Sequence, residues 1–494
     1  MHDVTQTDAV PKRPDIPFTG PELCALTARD VVAELRTGGV SPLALIDAAE
    51  ARSNQVGTQI NAMPTTCFDR ARAAVKALPE QAATQGTHPG WLAGLPIGIK
   101  DLNLVKGVRT TFGNPALADF IPETTDPLIE LLEQRGGLVV GKTNTPEFGA
   151  GGNSTNPVLG ATRNPWDTRM NAGGSSGGSA AALAAGEVWL AQGSDLMGSL
   201  RTPAAHCSVV SLRPAPGRAG GGPASAAFLS EGLQGPMARD VRDVALFLDA
   251  MTGWDPRTPI TLEEPAEDFQ TQMTRATRPP RIAFTEDQSG FSPVEQNIRS
   301  VLRGVMETAA RAGATVEDAC PDLPDLNEAY LALRGLHYGA VVAGLPPELQ
   351  ATFGERLKSN VDYGLNQNLL DLYAAMRQRT TLYHVMREFL GDYDVLAMPV
   401  VGIAPAPIEL EYPTMVDGVE IGTYETWLRF SFLSVVTLLP SMSIPAGFTP
   451  EGLPVGLQLI GPPRGEAVLL QAALFIEDAL GMPATPIDPV LRHG

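Results

Sequence analysis

Thiols and imidazoles are scarce in this chain, with four cysteines and six histidines in 494 residues. Cys24, Cys67, Cys207 and Cys320 stand far apart and form no CxxC pair. That excludes a zinc-ligating spacing and a disulfide framework, and it points to a reduced compartment. Positive charge is also in deficit: 36 Lys and Arg against 55 Asp and Glu give a net charge of −19, with no local basic patch. An acidic surface repels phosphate backbones, so a nucleic-acid ligand is not expected. Long apolar runs are missing. The uncharged stretch Ser431–Pro450 carries three prolines and four serines, which disqualifies it as a membrane span. The N-terminus, "MHDVTQTDAVPKRPDIPFTG", lacks the apolar core of a signal peptide. These absences predict a soluble, cytoplasmic protein that binds neither nucleic acid nor membrane.

What is present is a sizeable core, with 44% hydrophobic residues, enough for one large or two medium domains. Residues 1–20 read as a flexible tail, and 21–494 as one continuous domain. "PELCALTARDVVAELRTGG" has helical periodicity and stops at Gly38–Gly39. "SPLALIDAAEARSNQ" follows, with Ser41 at the cap position and Pro42 in the first turn. Short apolar runs then alternate with helical stretches: "GLPIGIKDL" as a strand, "DPLIELLEQRG" as a helix, "GLVVGKTN", "EVWLAQGSD" and "RIAFTED" as strands. The interval 260–390 is more helical and more charged. Strands return at "YDVLAMPVV", "PSMSIPAGFT" and "PVGLQLIG". The alternation predicts an α/β fold built on a mixed sheet.

Two motif matches are misleading. "GGLVVGKT", residues 136–143, fits a phosphate-loop pattern. A phosphate loop needs exposed amides between its glycines, whereas Leu138, Val139 and Val140 read as a buried strand, leaving Lys142 as an ordinary polar residue after it. Gly174–Gly178 contains GxSxG centred on Ser176. A nucleophile elbow needs a preceding strand and a downstream acid and histidine. "NPWDTRMNAGG" is no strand, and His206, His337, His384 and His493 have no recognisable setting. Without a histidine base, a buried lysine of lowered pKa can activate a serine. Lys100, closing "GLPIGIK", is such a lysine, or else a solvated strand end.

Three segments read together, "GLPIGIKD", "GGSSGGS" and "GSDLMGSLRTPAA", resemble the amidase signature family of serine hydrolases. "GKTNTPEFG", "ATRNPWD", "YDVLAMPV" and "GLPVGLQLIG" extend the resemblance over about residues 25–480, and it is densest over 94–214. The resemblance implies a mixed β-sheet sandwiched by α-helices, with a substrate-region insertion at about 260–390. It implies a Ser-cisSer-Lys triad of Ser199 as nucleophile, Ser175 as proton relay and Lys100 as base, with no metal and no cofactor. Ser175 would sit at a cis peptide bond, and the small neighbours Gly174, Ser176, Gly177 and Gly178 would let the loop pass close to Lys100. Leu196, Met197, Gly198 and Ser199 would supply oxyanion-hole amides, and Asp195 and Arg201 would hold that loop in shape. To work near neutral pH, Lys100 must lose about 3 units of pKa.

The chain departs from the family beside the nucleophile. Leu196-Met197-Gly198 stands where the family usually has Thr-Gly-Gly, and Arg213-Pro214 where it often has Lys-Pro. Two large apolar side chains there predict a reshaped pocket and a bulky apolar or aromatic amide or carbamate substrate, as in aryl acylamidases or urethanases. Two rivals remain open: an amidotransferase component generating ammonia for a partner, and a catalytically silent binding protein on the same scaffold. A monomer or homodimer is expected.

Overall fold

The computed structural model describes residues 13–221 and 227–492. Most of the expected tail, residues 1–12, lies outside the described residues. Residues 13–20 run along the body of the protein: Arg13 stacks over Trp166, the Thr19 amide donates to Asp488, and the Arg52 guanidinium lies over Phe18.

Eleven strands form one mixed sheet. In chain order they are β1 (Thr65–Thr66), β2 (Pro96–Lys100), β3 (Leu138–Thr143), β4 (Leu190–Asp195), β5 (Val210–Arg213), β6 (Leu233–Ala238), β7 (Arg281–Phe284), β8 (Thr315–Asp318), β9 (Val395–Pro399), β10 (Ser441–Phe448) and β11 (Pro454–Ile460). Their spatial order is β1-β3-β2-β4-β6-β5-β10-β11-β9-β7-β8. β3, β2 and β4 are parallel neighbours, β9, β7 and β8 are parallel at the other side, and the strands between alternate antiparallel. Every residue of β2, β3, β9 and β11 is buried. Strands covered on both faces read as near-continuous apolar runs, which is why these segments stand out in the sequence.

Helices cover the sheet. After the short helices Glu22–Ala25 and Ala28–Thr37 comes α1 (Pro42–Ile60), where the Ser41 hydroxyl accepts from the Ala44 amide and Pro42 opens the first turn. Then come α2 (Gly177–Ala185) and α3 (Arg201–Cys207), which pack on each other and on the central strands. A second group, α4 (Val241–Met251), α5 (Gln296–Arg311) and α10 (Glu466–Leu480), packs together and on the sheet. A third group, α6 (Leu326–Val342), α7 (Glu355–Leu365), α8 (Leu369–Phe389) and α9 (Phe432–Thr437), packs around α6. The expected insertion at 260–390 thus contributes β7 and the edge strand β8 as well as helices. This is the mixed sheet sandwiched by helices that the resemblance implies. Among the described residues no helix is long and apolar enough to cross a membrane.

Helix α2 has no polar face, and every one of its residues is buried. Alanine and glycine make that burial practicable because the backbone comes very close to its neighbours. A Cβ on Gly178 would lie 2.2 Å from the Asn144 nitrogen, and one on Gly177 2.4 Å from the Ser154 hydroxyl.

Candidate active site

Lys100 is the last residue of β2 and is fully buried. Its Nζ donates to Ser175 Oγ at 2.7 Å, Ser176 Oγ at 2.9 Å and Ser194 Oγ at 3.1 Å. Burial opposes the ammonium form and Asp195 favours it only weakly, so the pKa falls from 10.5 to about 7. Ser175 follows a cis peptide bond from Gly174. Its carbonyl accepts from the Ser154 hydroxyl at 3.2 Å, and Ser154 in turn accepts from the Gly177 amide at 2.9 Å. Ser176 turns its hydroxyl to Lys100 and to Ser194 O, the latter at 3.3 Å, so it backs the lysine and opens no elbow. Ser194 is a third hydroxyl on Lys100 that sequence reasoning missed. Its place near the end of a strand that neighbours β2 was the available signal.

The loop after β4 is organised by Asp195. Its carboxylate accepts from the Gly198 amide at 2.8 Å, the Leu200 amide at 3.1 Å and both Nε and Nη2 of Arg201, at 3.0 and 2.9 Å. Burial pushes this carboxyl up, but Arg201 and then Arg213 overcome it and hold it at about 2. Arg201 is itself fully buried and is fixed by Ser434 Oγ at 2.8 Å and by Gln458. Gly198 has φ +80°, and a Cβ there would stand 3.1 Å from both Ser431 and Thr202. A backbone left-handed at that point favours glycine. The loop presents Ser199, whose carbonyl accepts from the Ser176 amide at 3.0 Å. That contact joins the Ser199 loop directly to the Ser175 loop.

Gly198 leaves the set of four expected oxyanion donors, because its N–H already points at Asp195. The amides of Leu196, Met197 and Ser199 have no acceptor among the described residues.

Ser175, Ser194 and Ser199 open onto one cavity of about 350 Å³. Its wall is largely apolar and includes Leu102, Phe112, Leu117, Phe148, Leu196 and Val342. Phe112 and Phe148 stack at 5.4 Å between ring centres, and both have positive φ, 51° and 45°. Bulky residues rarely adopt that conformation, and backbone outliers of this kind cluster at functional sites. Sequence alone gave no sign of this aromatic wall. The expectation that Leu196 and Met197 both shape the pocket holds for Leu196 only. Leu196 lines the cavity and packs beside Tyr338 and Val342, while Met197 is buried in the main core.

Lys142 is also not the ordinary polar residue expected. It lies within β3 and is buried. Its Nζ donates to Asp101 Oδ1 at 3.0 Å, Asn103 O at 2.7 Å and Thr110 Oγ1 at 2.8 Å. Asp101 Oδ2 accepts from the amide and hydroxyl of Thr111. The pair pins the segment that carries Leu102 and Asn103 to the cavity wall. Among the histidines, His206 is fully enclosed, its pKa lowered to about 3 by burial, with Nδ1 beside Asn171 Oδ1 at 3.1 Å. His384 is exposed. Among the described residues no group of His, Cys, Asp and Glu could hold a metal ion.

The Amidase family model matches residues 44–470. The chain is 33% identical to a Glutamyl-tRNA(Gln) amidotransferase subunit from Anaeromyxobacter dehalogenans (strain 2CP-C), over 95% of this chain and 99% of that one. It is 32% identical to the Acylamidase of Rhodococcus erythropolis, over 92% and 95% of the two chains. Among solved structures, a bacterial aryl acylamidase of the amidase signature enzymes superposes with a TM-score of 0.84 at 28% identity, covering 93% of this chain and 98% of that one. The fold, the extent of the match and the motifs around Lys100 together place the chain in the amidase family, among the amidase signature enzymes.

Proposed function

We propose that this protein hydrolyses amide-type bonds of bulky apolar or aromatic substrates through an acyl-enzyme on Ser199, with Ser175 as proton relay and Lys100 as base. The observation that carries the reading is the 2.7 Å contact between a fully buried lysine of pKa about 7 and Ser175, on a loop tied to that of Ser199. Once Lys100 is neutral, the direction of that contact reverses and the Ser175 O–H donates to Nζ. Ser175 then accepts the proton of Ser199 as its oxygen attacks the carbonyl carbon. The amides of Leu196, Met197 and Ser199 face the developing oxyanion, each donor being worth about 10²–10³ in rate. The relay returns the proton to the leaving nitrogen, and water releases the acyl group in a second cycle.

The apolar wall of Phe112, Phe148 and Leu196 supports an aryl amide or an aryl carbamate. The likeness to the Rhodococcus Acylamidase and to the aryl acylamidase supports the same choice. A second reading, ammonia release from glutamine for a partner protein, is favoured by the amidotransferase relative and opposed by the predominance of apolar and aromatic side chains in the wall. A reduced, cytoplasmic compartment fits the free cysteines among the described residues. The test is Ser199→Ala. It abolishes hydrolysis of 4-nitroanilides and labelling by a fluorophosphonate while the thermal unfolding midpoint holds. Near wild-type turnover in that variant, with Ser176→Ala inactive, refutes the assignment. Glutaminase activity that rises with a co-purifying partner selects the second reading.

A further inference from the structure

One polar side chain on the cavity wall has no structural task. His337 sits on α6 one turn before Val341 and lines the same cavity as Ser199. Neither ring nitrogen has a hydrogen-bond partner among the described residues, and Nδ1 is completely enclosed. The ring is pressed against a glycine: a Cβ on Gly232 would stand 2.7 Å from its Cε1. The nearby charges are already matched. The Glu231 carboxylate takes Arg379 Nη1 at 2.8 Å, and Arg334, one turn earlier on α6, is engaged by Asn360 and Tyr424. Burial holds His337 neutral, its pKa lowered to about 4, with Glu231 raising it and Arg334 lowering it only secondarily.

A neutral imidazole carries one donor and one acceptor. Nε2, unlike Nδ1, is not enclosed, and an unpaired polar atom on a cavity wall penalises any ligand that covers it without pairing. A site built this way rejects analogues that lack the matching group far more strongly than a purely apolar pocket can. Resting on the amidase reading above, we infer that His337 is a specificity-determining residue that pairs a neutral hydrogen-bonding substituent, such as a ring hydroxyl, on the aryl part of the substrate. Phe112 and Phe148 would hold the ring, and His337 would read its substituent. A charged substituent fits less well, because the Glu231–Arg379 pair beside His337 is already balanced.

Two matched pairs test this: 4-hydroxyacetanilide against acetanilide, and 4-hydroxyphenylacetamide against phenylacetamide, so that the ring is placed on either side of the scissile bond. The expected result is a wild-type preference in kcat/KM for the hydroxylated member of one pair, by about 10-fold. The preference disappears in His337→Leu, carried mainly by KM, and returns in His337→Gln, which keeps a donor and an acceptor. Gly232→Ala, which displaces the ring without removing it, lowers the preference too. Equal rates within both pairs in the wild type, or a preference that survives His337→Leu, overturns the proposal and leaves the amidase reading standing. Wild-type enzyme that cleaves none of the four also overturns it. Fluorophosphonate labelling of Ser199 then decides whether the amidase reading falls as well.

Discussion

Replacing Lys100 with methionine should destroy activity and change how stability depends on pH. Lys100 is fully buried, and its pKa falls from 10.5 to about 7 because burial disfavours the ammonium. A lysine lowered in this way costs the folded state its full penalty below the folded pKa. That penalty is relieved as pH rises toward the unfolded value. The difference corresponds to about 5 kcal/mol at and below pH 7, vanishing near pH 10.5. Methionine carries no such cost but gives up the contacts to Ser175, Ser176 and Ser194. Those are worth roughly 1 kcal/mol each, a loss that does not vary with pH. Between about pH 7.5 and 9.5 the wild type should therefore gain about 3 kcal/mol relative to Lys100→Met. Urea unfolding of both proteins at the two pH values, followed by tryptophan fluorescence, measures it. All other groups titrate alike in the two proteins and cancel. Parallel stability curves would mean that the lysine is not desolvated, and the base assignment would lose its physical footing.

The same pKa predicts that kcat/KM rises with pH through about 7 and then levels, since only neutral Lys100 accepts a proton; a profile flat from about pH 6 to 9 on a 4-nitroanilide refutes it. Leu196→Gly should change the ratio of kcat/KM between an aryl anilide and a small primary amide by about 10-fold, because Leu196 lines the cavity. Met197→Gly should instead lower the thermal midpoint with little change in that ratio, since Met197 belongs to the core. Asp195→Asn strands the buried Arg201 and Arg213 and should cost about 3–5 kcal/mol in urea unfolding. Lys142→Met leaves Asp101 unpaired and should be destabilising to a similar degree, about 3–5 kcal/mol.

Strand and helix positions were readable wherever burial on both faces or a cap wrote itself into the sequence, as in β2, β3 and α1. β5 and β6 were not, because "VSLR" and "LQGPMA" mix polar and small residues whose partners lie across the sheet. Lys100, Ser175 and Ser199 were legible as a pattern of motifs. Their juxtaposition came only through the family resemblance, since contacts spanning 75 residues leave no local trace. The two misjudged residues share one cause. Whether Met197 faces the cavity, and whether Lys142 finds a carboxylate, depends on the direction of a side chain, which residue type does not encode. Phe112, Phe148, Ser194 and His337 enter the cavity from separate elements that only the fold brings together.

The packing of α2 bears on how this protein can be re-engineered. Gly177 and Gly178 have no room for a single methyl group, and the obstacles include main-chain atoms of Asn144 and Ala62. Libraries that sample this segment would therefore be dominated by unfolded clones, whatever the selection. The α6 wall is different. Val341 and Val342 at the end of α6, and Leu345 and Leu349 just after it, line the cavity, away from the close-packed main chain under the serines, so their size is the natural variable. A search for enzymes that accept new amides should place its diversity there and leave the glycine-rich stretch untouched.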